Sequence, residues 1–398
     1  MKRLVYASNV RHTETALRAA AQLHLDVSSY GPSPWPAFAW IAASRMPIPQ
    51  AYGRRLQHYA ARGGGAAVRS IGPGQYIPHA LGLMRKPYSG RAVRLTHLAQ
   101  ARYVTTSYGR KAPDFLHTVE GLLAPMLSSW PSAFGVVERR SHHYRVQEAL
   151  RRTEGEFPQT APFKDALRET LDVEFRLAAK VVVYSSAVAE SHCRYGVEPE
   201  KIQVIPISFE PGQLERTEQS VLARSNRNAR KALFVGRATL EKGIDIAAEA
   251  VRRSRNFDKL LVVGSATAQV QAWMAKCSWI EYLGVLPGDE VRQWMESVNI
   301  FIMPSVESFG LAVLEAIAME QIVLVSHQTG VGSYLKEANE AIVGSLQPDD
   351  WAARLDKLAS ISDEERRVRI GRQRQVFSRL SPTIVKQGYQ AMYEELLA

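Results

Sequence analysis

From about residue 230 onward, short apolar runs alternate with longer amphipathic segments. The apolar runs are Ala232–Val235, Leu260–Val263, Ile280–Leu283, Ile300–Met303 and Ile322–Val325. Each is rich in β-branched or large aliphatic residues and bounded by Gly, Pro or Ser, the pattern of strands buried on both faces. Between them, Gly243–Arg253, Gln269–Lys276, Glu290–Ser297 and Leu311–Met319 carry the helical period. Strands alternating with helices predict a parallel sheet wrapped by helices.

The first half follows a looser version of the same rhythm, with strands expected at Leu4–Ala7, Leu25–Ser28, Phe115–His117, Ala133–Val137 and Val181–Tyr184. The stretch from Arg62 to Lys86 is rich in Gly and Pro and reads as loop. Between Pro206 and Lys231 the chain turns polar and aperiodic, which is a linker composition. The expected organisation is a first doubly wound α/β domain over 1–208, a linker over 209–230 and a second such domain over 231–379. A last segment, 380–398, has a helical period over Pro382–Leu397 and can pack back on the first domain.

Composition narrows the class. With 398 residues the chain exceeds one ordinary core, and 46% hydrophobic with 22% charged residues is the balance of a water-soluble globular protein. No window holds the 18 or more apolar residues of a membrane span, and the start Met1–Ala7 reads as a strand rather than a signal peptide. The two cysteines, Cys193 and Cys277, have no ligand-like neighbours, so neither a disulfide framework nor a zinc site is expected, and a cytoplasmic location is. Residues 1–113 contain 16 Lys or Arg against only Glu14 and Asp26, whereas residues 209–398 contain 23 basic and 24 acidic residues. The formal net charge of +11 is therefore a property of the first domain, suited to a phosphate-rich partner or an anionic membrane surface, or serving solubility alone.

The chemistry concentrates in two blocks. In Pro304-Ser305-Val306-Glu307-Ser308-Phe309-Gly310-Leu311-Ala312-Val313-Leu314-Glu315 a buried strand ends and a helix starts. The N–H groups of Phe309, Gly310 and Leu311 open that helix, where anionic oxygens bind. Glu307 and Glu315 supply acceptors for sugar hydroxyls. In Leu233-Phe234-Val235-Gly236-Arg237, followed by Glu241-Lys242-Gly243, two cations flank a strand–helix turn and can embrace a diphosphate. Either block alone is equally well read as surface charge and helix capping. Their joint order on these elements is far more specific.

These blocks, VGRATLEKGID and PSVESFGLAVLE, resemble the retaining glycosyltransferase family 4, which has the GT-B fold of two Rossmann-like domains facing each other across a cleft. The resemblance extends more loosely through VVERRSHHYRVQEAL, AAKVVVYSSAVAESHCRYGV and EKIQVIPISF. It implies Arg237 and Lys242, with Gly236 in the turn, as the diphosphate clamp. Glu307 and the amides of Phe309, Gly310 and Leu311 are implied to hold the transferred sugar and β-phosphate, and Glu315 the ribose. A Glu-Arg-x-Ser-x-His pattern implies that His143 faces the cleft, with Arg139 and His142 as helpers. His117 and Glu120 are further candidates. Where relatives carry a Gly-Gly loop after the first strand, this chain has Ser8-Asn9-Val10-Arg11-His12, and Arg11 stands in for the missing backbone contact.

The implied reaction is metal-independent transfer, with retention, of a hexose-type sugar from a UDP- or GDP-sugar to a glycan or lipid-phosphate acceptor. No Asp-x-Asp pair, the usual chelator of a divalent ion on a diphosphate, is present, and no cofactor is expected. Two alternatives stay open: an epimerase-like enzyme on the same fold, and a non-catalytic protein binding through the basic domain. Nucleic acid is disfavoured because no helix-turn-helix, RNA-binding aromatic pair or zinc module is legible.

Overall fold

The computed structural model describes residues 2–7, 13–31, 69–70, 90–109, 111–150, 165–211 and 228–398. The first sheet consists of β1 (Arg3–Ala7), β2 (Asp26–Gly31), β3 (Arg69–Ser70), β4 (Phe115–Val119), β5 (Phe134–Arg139), β6 (Lys180–Val183) and β7 (Ile202–Val204). Their spatial order is β3-β2-β1-β4-β5-β6-β7, all parallel. The second sheet holds β8 (Asn228–Val235), β9 (Lys259–Val263), β10 (Ile280–Gly284), β11 (Val298–Met303), β12 (Ile322–Ser326) and β13 (Ile342–Val343). They run in the order β10-β9-β8-β11-β12-β13, again all parallel. In each sheet the order reverses beside the first strand, between β1 and β4 and between β8 and β11. A ligand crevice opens at such a switch point, at the carboxyl ends of the strands.

The apolar runs form strands because both of their faces are covered. Ala232, Phe234, Leu260, Val262, Ile300 and Ile302 enter one layer of the second domain, whereas Leu233, Leu261, Val263, Phe301 and Met303 enter the other. This period-two division sends alternate side chains of a continuous hydrophobic run to opposite helical layers. The first sheet divides the same way: Val5, Leu116, Val137 and Val181 face one layer, Leu4, Phe115, Val136 and Val182 the other. That second layer is completed by the end of the chain. Val385, Tyr389, Met392 and Tyr393 of the helix Pro382–Leu397 pack there beside Ala16, Ala19 and Ala20 of the helix Thr13–Gln22.

Two expectations are corrected. Strand β8 starts at Asn228, inside the segment read as linker, because Asn228 and the polar Arg230 and Lys231 extend the ladder toward β11 and β9. Strand β5 continues through the charged pair Glu138-Arg139, beyond the apolar run that ended the expected strand at Val137. Of the Arg62–Lys86 loop only Arg69–Ser70 lies within the described residues, where it pairs with β2. Among the described residues no helix is long and apolar enough to cross a membrane.

Candidate active site

The crevice at the carboxyl ends of β8 and β11 is built by two turns in close contact. Gly243 closes the first with a left-handed backbone, φ +70°, and a Cβ there would lie 2.1 Å from the Pro304 carbonyl oxygen. Glycine alone permits this approach of one backbone to another. Val306 N–H donates to the Glu241 carbonyl at 2.8 Å, fixing the same contact. The consequence is chemical: Lys242 forms an ion pair with Glu307, both side chains largely buried. Glu307 Oε2 is buried and has no hydrogen-bond partner among the described residues. Arg237 is exposed, and no ion pair or hydrogen bond engages it among the described residues.

The loop after β11 is stapled to the loop after β12. Glu307 N–H donates to the Gln328 carbonyl at 3.2 Å, and the Glu307 carbonyl accepts from Gly330 N–H at 2.9 Å. Below them Ser305 Oγ and Thr329 Oγ1 lie 2.8 Å apart, and Thr329 Oγ1 also donates to the Ser305 carbonyl at 3.0 Å. Gly310, at φ +107°, caps the helix Leu311–Ala318 and aims its first N–H groups at the crevice. Phe309 is buried, its ring edge-on to Tyr184 and Tyr334 at 6.5 and 6.1 Å. Burial pushes the Glu315 carboxyl up, with Arg292 opposing.

From the first domain, the segment after β6 reaches this loop. Ser185 Oγ donates to the Ser308 carbonyl at 3.1 Å, Ser186 Oγ lies 2.9 Å from Ser333 Oγ, and Tyr334 OH donates to the Tyr184 carbonyl at 2.9 Å. His142 also crosses, its Nε2 sitting 2.8 Å from the Gln328 carbonyl. Burial lowers the His142 pKa, while the Gln328 and Glu307 carbonyls and the Glu307 carboxylate work against that shift.

Of the two adjacent histidines, His142, expected as a helper, is the one that meets this loop. His143 turns away from the crevice into an aromatic cage, with ring centroids of Tyr144, Tyr195, His192 and Phe175 at 4.4, 4.8, 5.4 and 5.8 Å. Burial, with Arg139 and Arg145 nearby, drops its pKa to about 4. Arg139 is likewise committed inside the first domain, paired with Glu120 at 2.5 Å and stacked over Phe175. Burial pushes the Glu120 carboxyl up, but Arg139 and Arg140 outweigh it and hold it low. His117 is fully buried beneath the last helix, Nδ1 2.7 Å from Tyr393 OH. Arg11 lies outside the described residues. The residues that sequence reasoning missed are Tyr184, Ser185, Gln328, Thr329 and Gly330. The run Ser326–Gly330 ends an apolar strand with small polar residues and glycine, which is the signal that marks a crevice loop.

A family model described as glycosyl transferases group 1 matches residues 229–360, the span that carries both turns. Over this span the chain is similar to the group 1 glycosyl transferases. Curated relatives include an uncharacterized glycosyltransferase of Methanocaldococcus jannaschii, 27% identical over 202 residues, covering 46% of this chain and 51% of the relative. Another is a D-inositol 3-phosphate glycosyltransferase of Xylanimonas cellulosilytica, 26% identical over 196 residues, with 44% and 46% covered. The chain thus spans about half the length of the curated relatives it matches. Among solved structures, sucrose-phosphate synthase of Thermosynechococcus elongatus superposes with a TM-score of 0.67 at 15% identity, covering 100% of this chain and 99% of the other. HepE of Anabaena, crystallised with UDP and glucose, gives 0.61 at 14% identity, with 99% and 100% covered. These neighbours share the two-sheet GT-B architecture over the full length of the chain.

Proposed function

We propose that the chain is a retaining glycosyltransferase that moves a hexose-type sugar from a UDP- or GDP-sugar to a glycan or lipid-linked acceptor without a metal ion. The observation that carries this reading is the Lys242–Glu307 pair held at the switch point of the second sheet, beside the open helix start at Phe309–Leu311. As the anomeric bond breaks, negative charge develops on the leaving diphosphate. Lys242 and the exposed Arg237 meet that charge, and the amides opening the helix add fixed donors. Lys242 leaves Glu307 for the phosphate, which frees the glutamate to accept hydrogen bonds from the transferred sugar. Glu315, four residues into the same helix, serves the ribose.

That HepE is crystallised with UDP-glucose supports a UDP-sugar as the first donor to try. The basic first domain favours an anionic, lipid-phosphate acceptor at a membrane surface, and flotation with liposomes that contain or lack anionic lipid checks it.

The decisive experiment compares sugar transfer from UDP- and GDP-sugars by the wild type, Lys242→Met and Arg237→Met, with EDTA present. Loss of one preorganised charge aimed at the leaving group lowers kcat by roughly 10²–10³. Near wild-type transfer by both variants at saturating donor overturns the assignment. Sugar release without any acceptor identifies an epimerase-like enzyme instead.

A further inference from the structure

Glu138, the glutamate of the Glu-Arg-x-Ser-x-His pattern, takes no part in the chemistry above, yet the first domain builds an elaborate setting for it. It is 3% exposed, near the end of β5, and three groups converge on its carboxylate. Tyr389 OH donates to Oε1 at 2.9 Å, Tyr184 OH donates to Oε2 at 3.3 Å, and His117 Nε2 lies 3.3 Å from Oε1. On the other side of the His117 ring, Nδ1 lies 2.7 Å from Tyr393 OH. His117, Tyr184, Tyr389 and Tyr393 are each at most 4% exposed. A carboxylate taken this far from water must be fully hydrogen-bonded, and directional donors then fix each partner's orientation.

One of those partners leads directly to the crevice. The hydroxyl of Tyr184 belongs to Glu138, but its ring meets Phe309 edge-on at 6.5 Å, its carbonyl accepts from Tyr334 OH, and the next residue, Ser185, donates to the Ser308 carbonyl. The fit leaves no slack. A Cβ on Gly330 would stand 1.9 Å from the Ser308 carbonyl oxygen and 2.8 Å from Ser185 Oγ. The loop that opens the helix at Phe309–Leu311 is thus held from the first domain by a tyrosine whose own angle is set by a buried carboxylate.

We propose that Glu138, acting through Tyr184, is a positioning residue for the Ser308–Leu311 donor loop. Two elements lock it in place: β5 of the first sheet and, through Tyr389, the last helix of the chain. The inference deepens the glycosyltransferase reading and rests on it for its effect on the donor, whereas the mechanical coupling stands apart from any ligand. Amides that act on a leaving group must be placed within a fraction of an ångström, so slack introduced at Tyr184 reaches the donor as lost affinity.

The test uses the full chain with Tyr184→Phe and Glu138→Gln, each close to isosteric, and Tyr144→Phe as a matched control. Tyr144 is also a buried tyrosine whose hydroxyl donates to a carboxylate, here that of Asp172 in the helix Asp165–Leu177. Hydrogen exchange of the segment 305–314 is measured without ligand, and UDP and GDP binding by calorimetry. The first two variants exchange this segment about tenfold faster while β9 and β12 keep their protection, and they bind the nucleotide roughly five- to tenfold more weakly. The control changes neither. Wild-type exchange in both variants, or equal changes in the control, overturns the proposal. Absence of UDP and GDP binding by the wild type would instead sink the functional reading, with the exchange result still deciding the coupling.

Discussion

Gly243→Ala perturbs the contact on which the crevice depends. At φ +70° an alanine Cβ meets the following carbonyl, a left-handed cost of about 1–2 kcal/mol, partly offset by about 0.4–1 kcal/mol of lost freedom in the unfolded chain. The net backbone effect is about 1 kcal/mol. The new Cβ also falls 2.1 Å from the Pro304 carbonyl oxygen, against a normal contact above 3 Å. The two turns must therefore separate by about 1 Å, and relieving such overpacking costs a further 1–3 kcal/mol or so. Gly284→Ala provides the internal reference. It has the same sense of backbone, φ +75°, but nothing lies within 4 Å of its Cβ, so it carries the first cost alone. At about 2–4 °C per kcal/mol for a domain of this size, Gly284→Ala lowers the Tm of the second domain by about 3 °C and Gly243→Ala by about 6–12 °C. Thermal scans of both, followed by urea titrations, check the ratio. A displacement of about 1 Å at Lys242 also costs up to roughly 10² in transfer rate, an effect absent from Gly284→Ala. Equal Tm losses would refute the claim that backbone approach at Pro304 sets the geometry of the Lys242–Glu307 pair.

Two further variants test the reassignment of the buried ionisable groups. His143→Phe preserves the aromatic cage and removes no proton carrier at neutral pH, so transfer stays within about threefold of wild type, whereas a hundredfold loss would return His143 to the chemistry. Its lowered pKa, about 4 against 6.5, also means that the stability it confers is present above pH 6.5 and lost as the pH falls toward 4, so this variant is less acid-sensitive in urea melts at pH 5. Glu174 has the opposite sign. Burial pushes its carboxyl up to about 7, against the pull of N–H groups from Gly121, Leu123 and Ala124. Its contribution is fully present below about pH 4.5 and declines as the pH rises through 7, on the order of 3 kcal/mol in all. Glu174→Gln flattens the stability curve between pH 5 and 8, and unchanged slopes in the two proteins would contradict this.

The second domain was legible because its physics is local. A strand buried on both faces is an unbroken apolar run, and the helix that follows begins with its own glycine or cap, so β9 to β12 appear at nearly their observed limits, while the polar first half of β8 does not. The two charged turns could also be read jointly, since each lies at the end of such a run. The short strands β3, β7 and β13, two or three residues long, carry too little periodicity to stand out. The orientation of His142 and His143 could not be read at all. Both lie in a short turn between β5 and the helix Tyr144–Leu150, where neither a period of two nor one of 3.6 assigns a face.

Glu138 shows a different limit. Its strand was expected to stop at Val137, where the apolar run ends. Continued at the strand period, Phe134, Val136 and Glu138 share one face, and Val136 is in the core layer. That alternation alone places a carboxylate at an interior position. Interior carboxylates are rare unless partnered, so the register carries a prediction of its own: donors must arrive from elsewhere in the chain. They do, and Tyr389 is 251 residues away. No local pattern can name such a partner. The strand register nevertheless limits where it can come from, namely whatever layer covers Val136. In this fold that layer includes the final helix, so the end of the chain is tied, through Glu138 and Tyr184, to the loop that opens the helix Leu311–Ala318.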